Sequence, residues 1–240
     1  MKLPKNMRAI VSIPTYNEKE NIQDLINAIL EAERDIHVVV VDDDSPDGTA
    51  QEVEALSRES ARVHLIRKAA PRGRGLADIV GMQYAIKEGF DYILQMDADF
   101  SHLPKYIPQF LDEIRRHDVV IGSRLIPGGA IEGRNAYRNI VTQLANGYVR
   151  LILGLKPKDC TSGYRCYRKE VLASIDLHKM ISSSPSLLEE ILYACKKHRF
   201  DIYEIPITFI DRKKGKSKLR LTDLIGILLI ILKIRFRLAR

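Results

Sequence analysis

The chain has 240 residues, 45% of them apolar and 7% aromatic, with no tryptophan and a formal charge of +7 at neutral pH. That length and apolar share argue against a disordered or fibrous chain and suffice for one medium-sized buried core, alone or with an appendage. Three cysteines, Cys160, Cys166 and Cys195, without a CxxC spacing, argue against a disulfide framework and complete no zinc pattern, so a reducing compartment is expected.

The charge is unevenly spread. From Lys196 to Arg240 there are 13 Lys/Arg against 4 Asp/Glu, a net of +9, which leaves −2 for residues 1–195. A basic tail of this kind implies an anionic partner: nucleic acid, a phosphorylated ligand or an anionic membrane face, with a solvated tail as the plain alternative. Met1 to Arg8 is short and basic, and the apolar Ala9 to Ile13 is interrupted by Ser12 and Pro14. It lacks the apolar centre of a signal peptide, so a cytosolic chain is expected.

Ala9 to Ile13 ends at Pro14 and predicts a strand, and Glu18 to Arg34 carries Ile22, Leu25, Ile26, Ile29 and Leu30 at helical spacing. Ile36 to Val41 is β-branched but for His37, as a doubly covered parallel strand should be, and it runs into Asp42-Asp43-Asp44 and a turn at Ser45-Pro46-Asp47-Gly48. Thr49 to Ser60 reads as a helix, Val63 to Arg67 as a strand, and Gly75 to Gly89 as a helix behind a glycine-rich turn. Tyr92 to Met96 is a strand leading directly into Asp97-Ala98-Asp99. A helix over Leu103 to Arg116 and a strand over Val119 to Gly122 follow. This alternation predicts an α/β fold: an open, mainly parallel Rossmann-like sheet with helices on both faces, whose ligands bind beyond the carboxyl ends of the strands.

Asn135 to Leu153 is a helix by its apolar spacing. Cys160 to Tyr167 has turn and strand character, Ser186 to Lys197 is a helix, and Ile202 to Ile210 is a strand whose Pro206 suits a sheet edge. Leu219 to Arg240 predicts a basic, apolar C-terminal helix, dividing the chain into 1–218 and 219–240. Its longest uncharged apolar run, Leu224 to Leu232, falls short of the roughly 20 residues that span a bilayer. An interfacial helix on a membrane, and a helix packed on the main domain or on a membrane-protein subunit, both stay open.

Asp97 and Asp99 close a strand, so alternation points both carboxylates to one side, roughly 6 to 7 Å apart. Two acids so placed repel unless a cation lies between them, and Mg²⁺ or Mn²⁺ takes such ligands while bridging to phosphates. A solvated acidic loop is the plain alternative. Asp42 is placed to accept hydrogen bonds from a ribose or base, whereas Asp44 and Asp47 suit turn and cap duty. Pro14-Thr15-Tyr16-Asn17-Glu18 precedes a helix amino terminus, and Tyr16 offers a face to a nucleobase. Arg72-Gly73-Arg74-Gly75 fits neither dinucleotide nor P-loop spacing, which argues against NAD binding and P-loop hydrolysis. Arg124, Arg138, Arg212 and Lys218 are candidates for phosphate contacts.

Seven segments in order resemble family 2 glycosyltransferases, and within them the dolichyl-phosphate mannosyltransferase branch. They are Pro14-Thr15-Tyr16-Asn17-Glu18, Asp42 through Thr49, Gly75-Leu76-Ala77 with Gly81, Asp97 through Pro104, Gly122-Ser123-Arg124, Asp159 through Arg165, and Arg212 through Leu219. The resemblance implies a GT-A fold and metal-dependent, inverting transfer of mannose from GDP-mannose to a dolichyl or polyprenyl monophosphate. It assigns the guanosine to Pro14, Tyr16, Glu18, Val40 and Asp42, and the diphosphate and metal (Mg²⁺ or Mn²⁺) to Asp97, Ala98 and Asp99. Arg124, Arg212 and Lys218 would bind donor phosphates; Arg124, Arg138 and Thr142 the acceptor phosphate. Asp99 and Arg124 are the catalytic candidates. Leu188-Glu189-Glu190 stands where relatives carry Gln-x-Glu. A lipid acceptor implies a peripheral enzyme on the cytosolic face of a membrane, with the basic carboxyl terminus as its contact. Two other readings are a polyprenyl-phosphate glycosyltransferase using a UDP-sugar (glucose or N-acetylhexosamine) and a non-catalytic basic binding module. No nucleic-acid motif is present, so a nucleic-acid partner is not expected.

Overall fold

The computed structural model describes residues 7–182, 186–211 and 221–237, so Arg212 and Lys218 lie outside the described residues. Seven strands form one sheet in the spatial order β3 (Val63–Arg67), β2 (Ile36–Asp42), β1 (Ala9–Thr15), β4 (Tyr92–Gln95), β7 (Arg165–Arg168), β5 (Val119–Ser123) and β8 (Ile202–Pro206). β1 runs parallel to β2 and β4, as β5 does to β8. β7 enters antiparallel between β4 and β5.

Successive side chains of each strand go to opposite faces, which is why the central strands are apolar at nearly every position. Ile10, Val39, Val41, Ile93, Val119 and Ile121 pack on one side with α3 (Arg74–Lys87), α5 (Ala136–Leu153), α6 (Lys169–Ser174) and α7 (Leu187–Lys197). Val11, Ile13, Val38, Val40, Leu94 and Val120 pack on the other with α1 (Lys19–Ala32), α2 (Thr49–Glu59) and α4 (Ile107–Glu113). The expected α/β architecture with helices on both faces is therefore present.

Four details differ from the sequence reading. The antiparallel β7 interrupts an otherwise parallel sheet. The helix expected over Leu103 to Arg116 begins as a 3-10 turn at Pro104–Tyr106 and ends at Glu113. A short strand β6 (Ala130–Glu132) and the helix α6 were not anticipated. The strand expected over Ile202 to Ile210 is two strands. Pro206 has no N–H with which to extend a ladder; β8 stops there at the sheet edge, and β9 (Thr208–Ile210) leaves to pair with β6 in a second sheet.

The last helix, α8 (Leu221–Arg237), packs against α5 and α7, with Ile231 and Ile234 buried in the first core. Tyr148 donates its hydroxyl proton to the Leu228 carbonyl at 2.9 Å, and Arg235 donates to the Tyr193 hydroxyl at 2.8 Å.

Candidate active site

The strand order reverses direction at β1, which has β2 on one side and β4 on the other. Open α/β sheets bind ligands at such a switch point, beyond the carboxyl ends of the strands. There the structure has a cleft lined by Pro14, Thr15, Tyr16 and Glu18 after β1, Asp43 after β2, Arg74 and Ala77 at the start of α3, and Asp97, Ala98 and Asp99 after β4. Each of the three strand ends turns through a non-glycine residue in the left-handed region: Asn17 (φ 61°), Asp44 (φ 57°) and Phe100 (φ 59°). Asn and Asp tolerate this, but for Phe100 it costs about 1 kcal/mol, a strain of the kind that gathers at functional sites.

The Asp97 backbone N–H donates to Nδ1 of the buried His102 at 3.0 Å. That nitrogen is thus an acceptor, which makes the ring neutral with its proton on Nε2. Burial pushes the imidazole below its ordinary pKa, in agreement with this tautomer. His102 also stacks on Tyr164 at 5.0 Å, so it fixes the backbone from which the Asp97 side chain projects. The Asp99 carboxylate accepts the Ser101 N–H at 3.1 Å and shapes the turn. The Asp97 carboxylate accepts a hydrogen bond from the guanidinium of Arg74. A cation already lies on this carboxylate, and the two hard oxygen donors suit Mg²⁺ or Mn²⁺. Among the described residues no group of three or more His, Cys, Asp or Glu forms a closed metal cage. A dication held by Asp97 and Asp99 would take its remaining ligands from water or phosphate oxygens.

Of the residues expected around the donor, Pro14, Tyr16, Glu18, Asp97, Ala98 and Asp99 line one cleft. Tyr16 is 46% exposed, with the Arg72 guanidinium 5.0 Å from its ring centre. Val40 is fully buried in the core facing α1 and α2 and is not in the cleft wall. Asp42 is also buried; it accepts the Thr15 hydroxyl (2.9 Å), the Ser45 N–H (2.9 Å) and the Ser45 hydroxyl (2.6 Å), bracing the loop behind the cleft. Its neighbour Asp43, which sequence reasoning passed over, is the acid that lines the cleft, held by the Gly73 N–H at 2.7 Å and Lys68 at 2.5 Å. Asp47 ties two loops together by accepting from the Thr49 N–H and hydroxyl and from the Lys19 N–H, the turn-and-cap duty expected of it.

A second polar cluster adjoins the first. Arg124, at the end of β5, clamps the fully buried Asp159 through Nε and Nη2, both at 2.7 Å, and its own N–H at 3.0 Å. Burial favours the neutral acid at Asp159, but the Arg124 bonds outweigh it and hold the carboxyl below the usual range. Arg138 donates to Asp211, and Thr142 donates its hydroxyl proton to the Arg138 carbonyl at 3.0 Å. Arg134, absent from the sequence-based candidates, joins them: its Nη1 donates to Thr142 at 3.1 Å and its Nη2 lies 3.6 Å from Asp211. Burial, with the neighbouring Arg138 and Arg124 charges, pulls Arg134 below its ordinary pKa while Asp211 opposes. Three guanidiniums face two carboxylates among these five side chains, an excess that suits an anion.

Phe209 links the clusters: the Arg124 and Arg134 guanidiniums lie 5.4 and 5.0 Å from its ring centre, and the His102 ring lies 5.6 Å away. Leu188, Glu189 and Glu190 are all buried, and Glu190 accepts the Ile181 and Ser182 N–H groups, both at 3.0 Å.

A mainly parallel sheet with one antiparallel insertion, an acidic pair at the switch point and arginines alongside define a GT-A glycosyltransferase fold. The chain belongs to glycosyl transferase family 2, whose profile matches residues 10–176. It is 36% identical over 214 residues to a polyprenol monophosphomannose synthase of Mycolicibacterium smegmatis, covering 88% of this chain and 81% of that one. It is 36% identical over 213 residues to an undecaprenyl-phosphate mannosyltransferase of Micrococcus luteus, covering 89% and 88%. Among solved structures, glucosyl-3-phosphoglycerate synthase from Mycobacterium tuberculosis, in complex with Mn²⁺, uridine diphosphate and glucosyl-3-phosphoglycerate, superposes with a TM-score of 0.67. That match covers 95% of this chain and 78% of the other at 16% identity, a likeness of fold alone.

Proposed function

We propose that this chain transfers mannose from GDP-mannose to a dolichyl or polyprenyl monophosphate, with inversion at the anomeric carbon, on the cytosolic face of a membrane. One observation carries the reading: the carboxylate cleft and the arginine cluster are contiguous through His102 and Phe209. A nucleoside diphosphate and a second phosphate thereby meet at one place. The relatives named above for mannose and polyprenyl phosphate support the choice of sugar and acceptor.

An acceptor phosphate oxygen attacks C1 of the sugar as the bond from C1 to the diphosphate breaks, the electron pair leaving with GDP. A phosphate monoester has a second pKa of about 6, so it is already ionised and needs no general base. This accords with His102, whose Nδ1 is committed to the Asp97 backbone. Arg124, fixed by Asp159, with Arg134 and Arg138, holds the acceptor phosphate and lowers the repulsion between two anions brought together. Asp97 and Asp99 would hold Mg²⁺ or Mn²⁺, which supplies Lewis-acid stabilisation to the departing diphosphate when bound.

Among the described residues no helix is long and apolar enough to cross a membrane. The exposed side of α5 carries Tyr137, Ile140, Leu144 and Leu151 at helical spacing, the last 80% exposed. On the neighbouring α8, Leu228, Leu229 and Phe236 are exposed beside Lys233, Arg235 and Arg237. Apolar stripes flanked by cations suit the headgroup boundary of an anionic bilayer. The proposed membrane contact thus extends beyond the carboxyl-terminal segment to α5.

The test offers GDP-mannose, UDP-glucose and UDP-N-acetylglucosamine, each with a polyprenyl phosphate in detergent, and reads the glycolipid by mass spectrometry. Mannolipid from GDP-mannose alone is expected; transfer from a UDP-sugar in preference refutes the donor. Asp99→Ala should abolish turnover with an unchanged circular dichroism spectrum, and wild-type activity that survives a chelator overturns the metal assignment.

A further inference from the structure

Arg74 is the first residue of α3, placed over the cleft by the bond from the Gly73 N–H to Asp43 at 2.7 Å. Its Nη2 donates to Asp97 Oδ1, its Nε lies 3.8 Å from the buried carboxylate of Asp78, and its side chain keeps 41% of its surface exposed. The space it fills exists because residue 163 is glycine. A Cβ built there would lie 2.9 Å from Arg74 Nη2 and 3.6 Å from Asp97 Oδ1, closer to the guanidinium than side chains ordinarily approach.

We propose that Arg74 is a resident counter-cation of the metal-binding carboxylate. It pairs with Asp97 in the ligand-free protein and moves to the diphosphate of the incoming nucleotide when a dication takes its place. The inference rests on the reading that Asp97 and Asp99 bind a dication and that the cleft binds a nucleoside diphosphate. A guanidinium and a dication sharing the Asp97 carboxylate would repel strongly in a half-enclosed cleft, which favours displacement of the guanidinium. Arg74 can yield because it is partly exposed and its backbone stays in α3. A planar fork released beside a helix amino terminus has a natural partner in phosphate oxygens. The exchange makes dication and nucleotide binding mutually dependent through one side chain, and by linkage each strengthens the other by the same factor.

The experiment is a Mn²⁺ titration of the full chain by electron paramagnetic resonance, without nucleotide and with saturating GDP, and with UDP as a parallel arm. Wild type, Arg74→Ala and Gly163→Ala are compared. The second variant keeps the charge but pushes the guanidinium off Asp97, and it guards against misfolding caused by stripping Asp78 of its neighbour. Both variants should bind Mn²⁺ up to about five-fold more tightly than wild type without nucleotide, the size expected of one partly exposed ion pair with good geometry. The tightening of Mn²⁺ binding by GDP should shrink by about the same factor in Arg74→Ala, where the handover to phosphate is lost. Unchanged nucleotide-free affinity in both variants overturns the inference. So does an equal gain with and without GDP, since that makes Arg74 a fixed charge rather than an exchanging one. If no form binds Mn²⁺ under any condition, the metal reading itself falls and the inference with it, a result distinct from the other two.

Discussion

The Arg124–Asp159 pair sets the geometry of the arginine cluster, and Asp159→Asn tests it. Asp159 has no solvent exposure and the Arg124 side chain only 8%. The carboxylate receives three Arg124 donors and the Thr161 hydroxyl at 3.2 Å. The amide keeps the shape but turns one acceptor oxygen into a donor facing donors, and leaves a guanidinium buried without its counter-charge. Removing one partner of a buried pair costs about 3–5 kcal/mol, and burial this complete leaves little solvent screening to soften it. Urea denaturation followed by far-ultraviolet circular dichroism should show that loss as a lower midpoint at an unchanged slope. The pH dependence has a definite sign. The folded carboxyl lies below its ordinary 3.8 because the Arg124 bonds outweigh burial. A depressed carboxyl stabilises above its unfolded pKa, and that stability is lost as pH falls through the folded value. The gap between wild type and variant should therefore be widest near neutrality and shrink below about pH 4. A gap under about 1 kcal/mol at pH 7, or one that stays constant down to pH 3, refutes the pairing as the source of the effect.

Gly81→Ala should destabilise by about 1–3 kcal/mol, since its Cβ would fall 2.0 Å from Ser12 Oγ in the buried sheet. Adding Ser12→Ala should recover most of that loss, because it removes the crowded Oγ and, among the described residues, the buried Ser12 hydroxyl has no hydrogen-bond partner; calorimetry of wild type and the two variants decides. His102→Leu removes the acceptor of the Asp97 N–H and should cost about 1–3 kcal/mol, with weaker Mn²⁺ binding measured in the same preparation; unchanged metal affinity would separate His102 from the metal site. Leu144→Asp with Leu151→Asp should lower sedimentation with anionic liposomes at least about ten-fold while the melting temperature holds, because both side chains are exposed. Equal binding places the membrane contact elsewhere.

The first half of the fold was legible because its period is. Val63 to Arg67 was read to the residue, and the other early elements agree to within a few residues at either end. Strand character up to Tyr167 was legible, but the antiparallel direction of β7 was not: Arg165-Cys166-Tyr167-Arg168 has an apolar centre only two residues long, and its place between β4 and β5 is settled by partners far along the chain. Apolar residues ring α5, so only packing shows that Val149 and Leu153 face inward and Tyr137, Ile140, Leu144 and Leu151 outward. The split at Pro206 carried a signal, the missing N–H. What lacked one was the destination of β9, which pairs with a three-residue strand.

In the site, the acids at the strand ends were visible as charges following apolar runs, but their orientations were not. Adjacent Asp42 and Asp43 divide the work, one inward as a brace and the other toward the cleft. Invisible too were the basic partners, because each comes from another element. Asp43 pairs with Lys68, Asp44 with Arg72, Asp97 with Arg74, Asp159 with Arg124, and Asp211 with Arg138. The carboxyl edge of the sheet is thus lined by internal ion pairs. On the proposed function, a dication and two phosphates entering such an edge would trade partners with groups already there. The local charge would then stay near balance at each exchange, with the desolvation of the carboxylates met during folding rather than during binding.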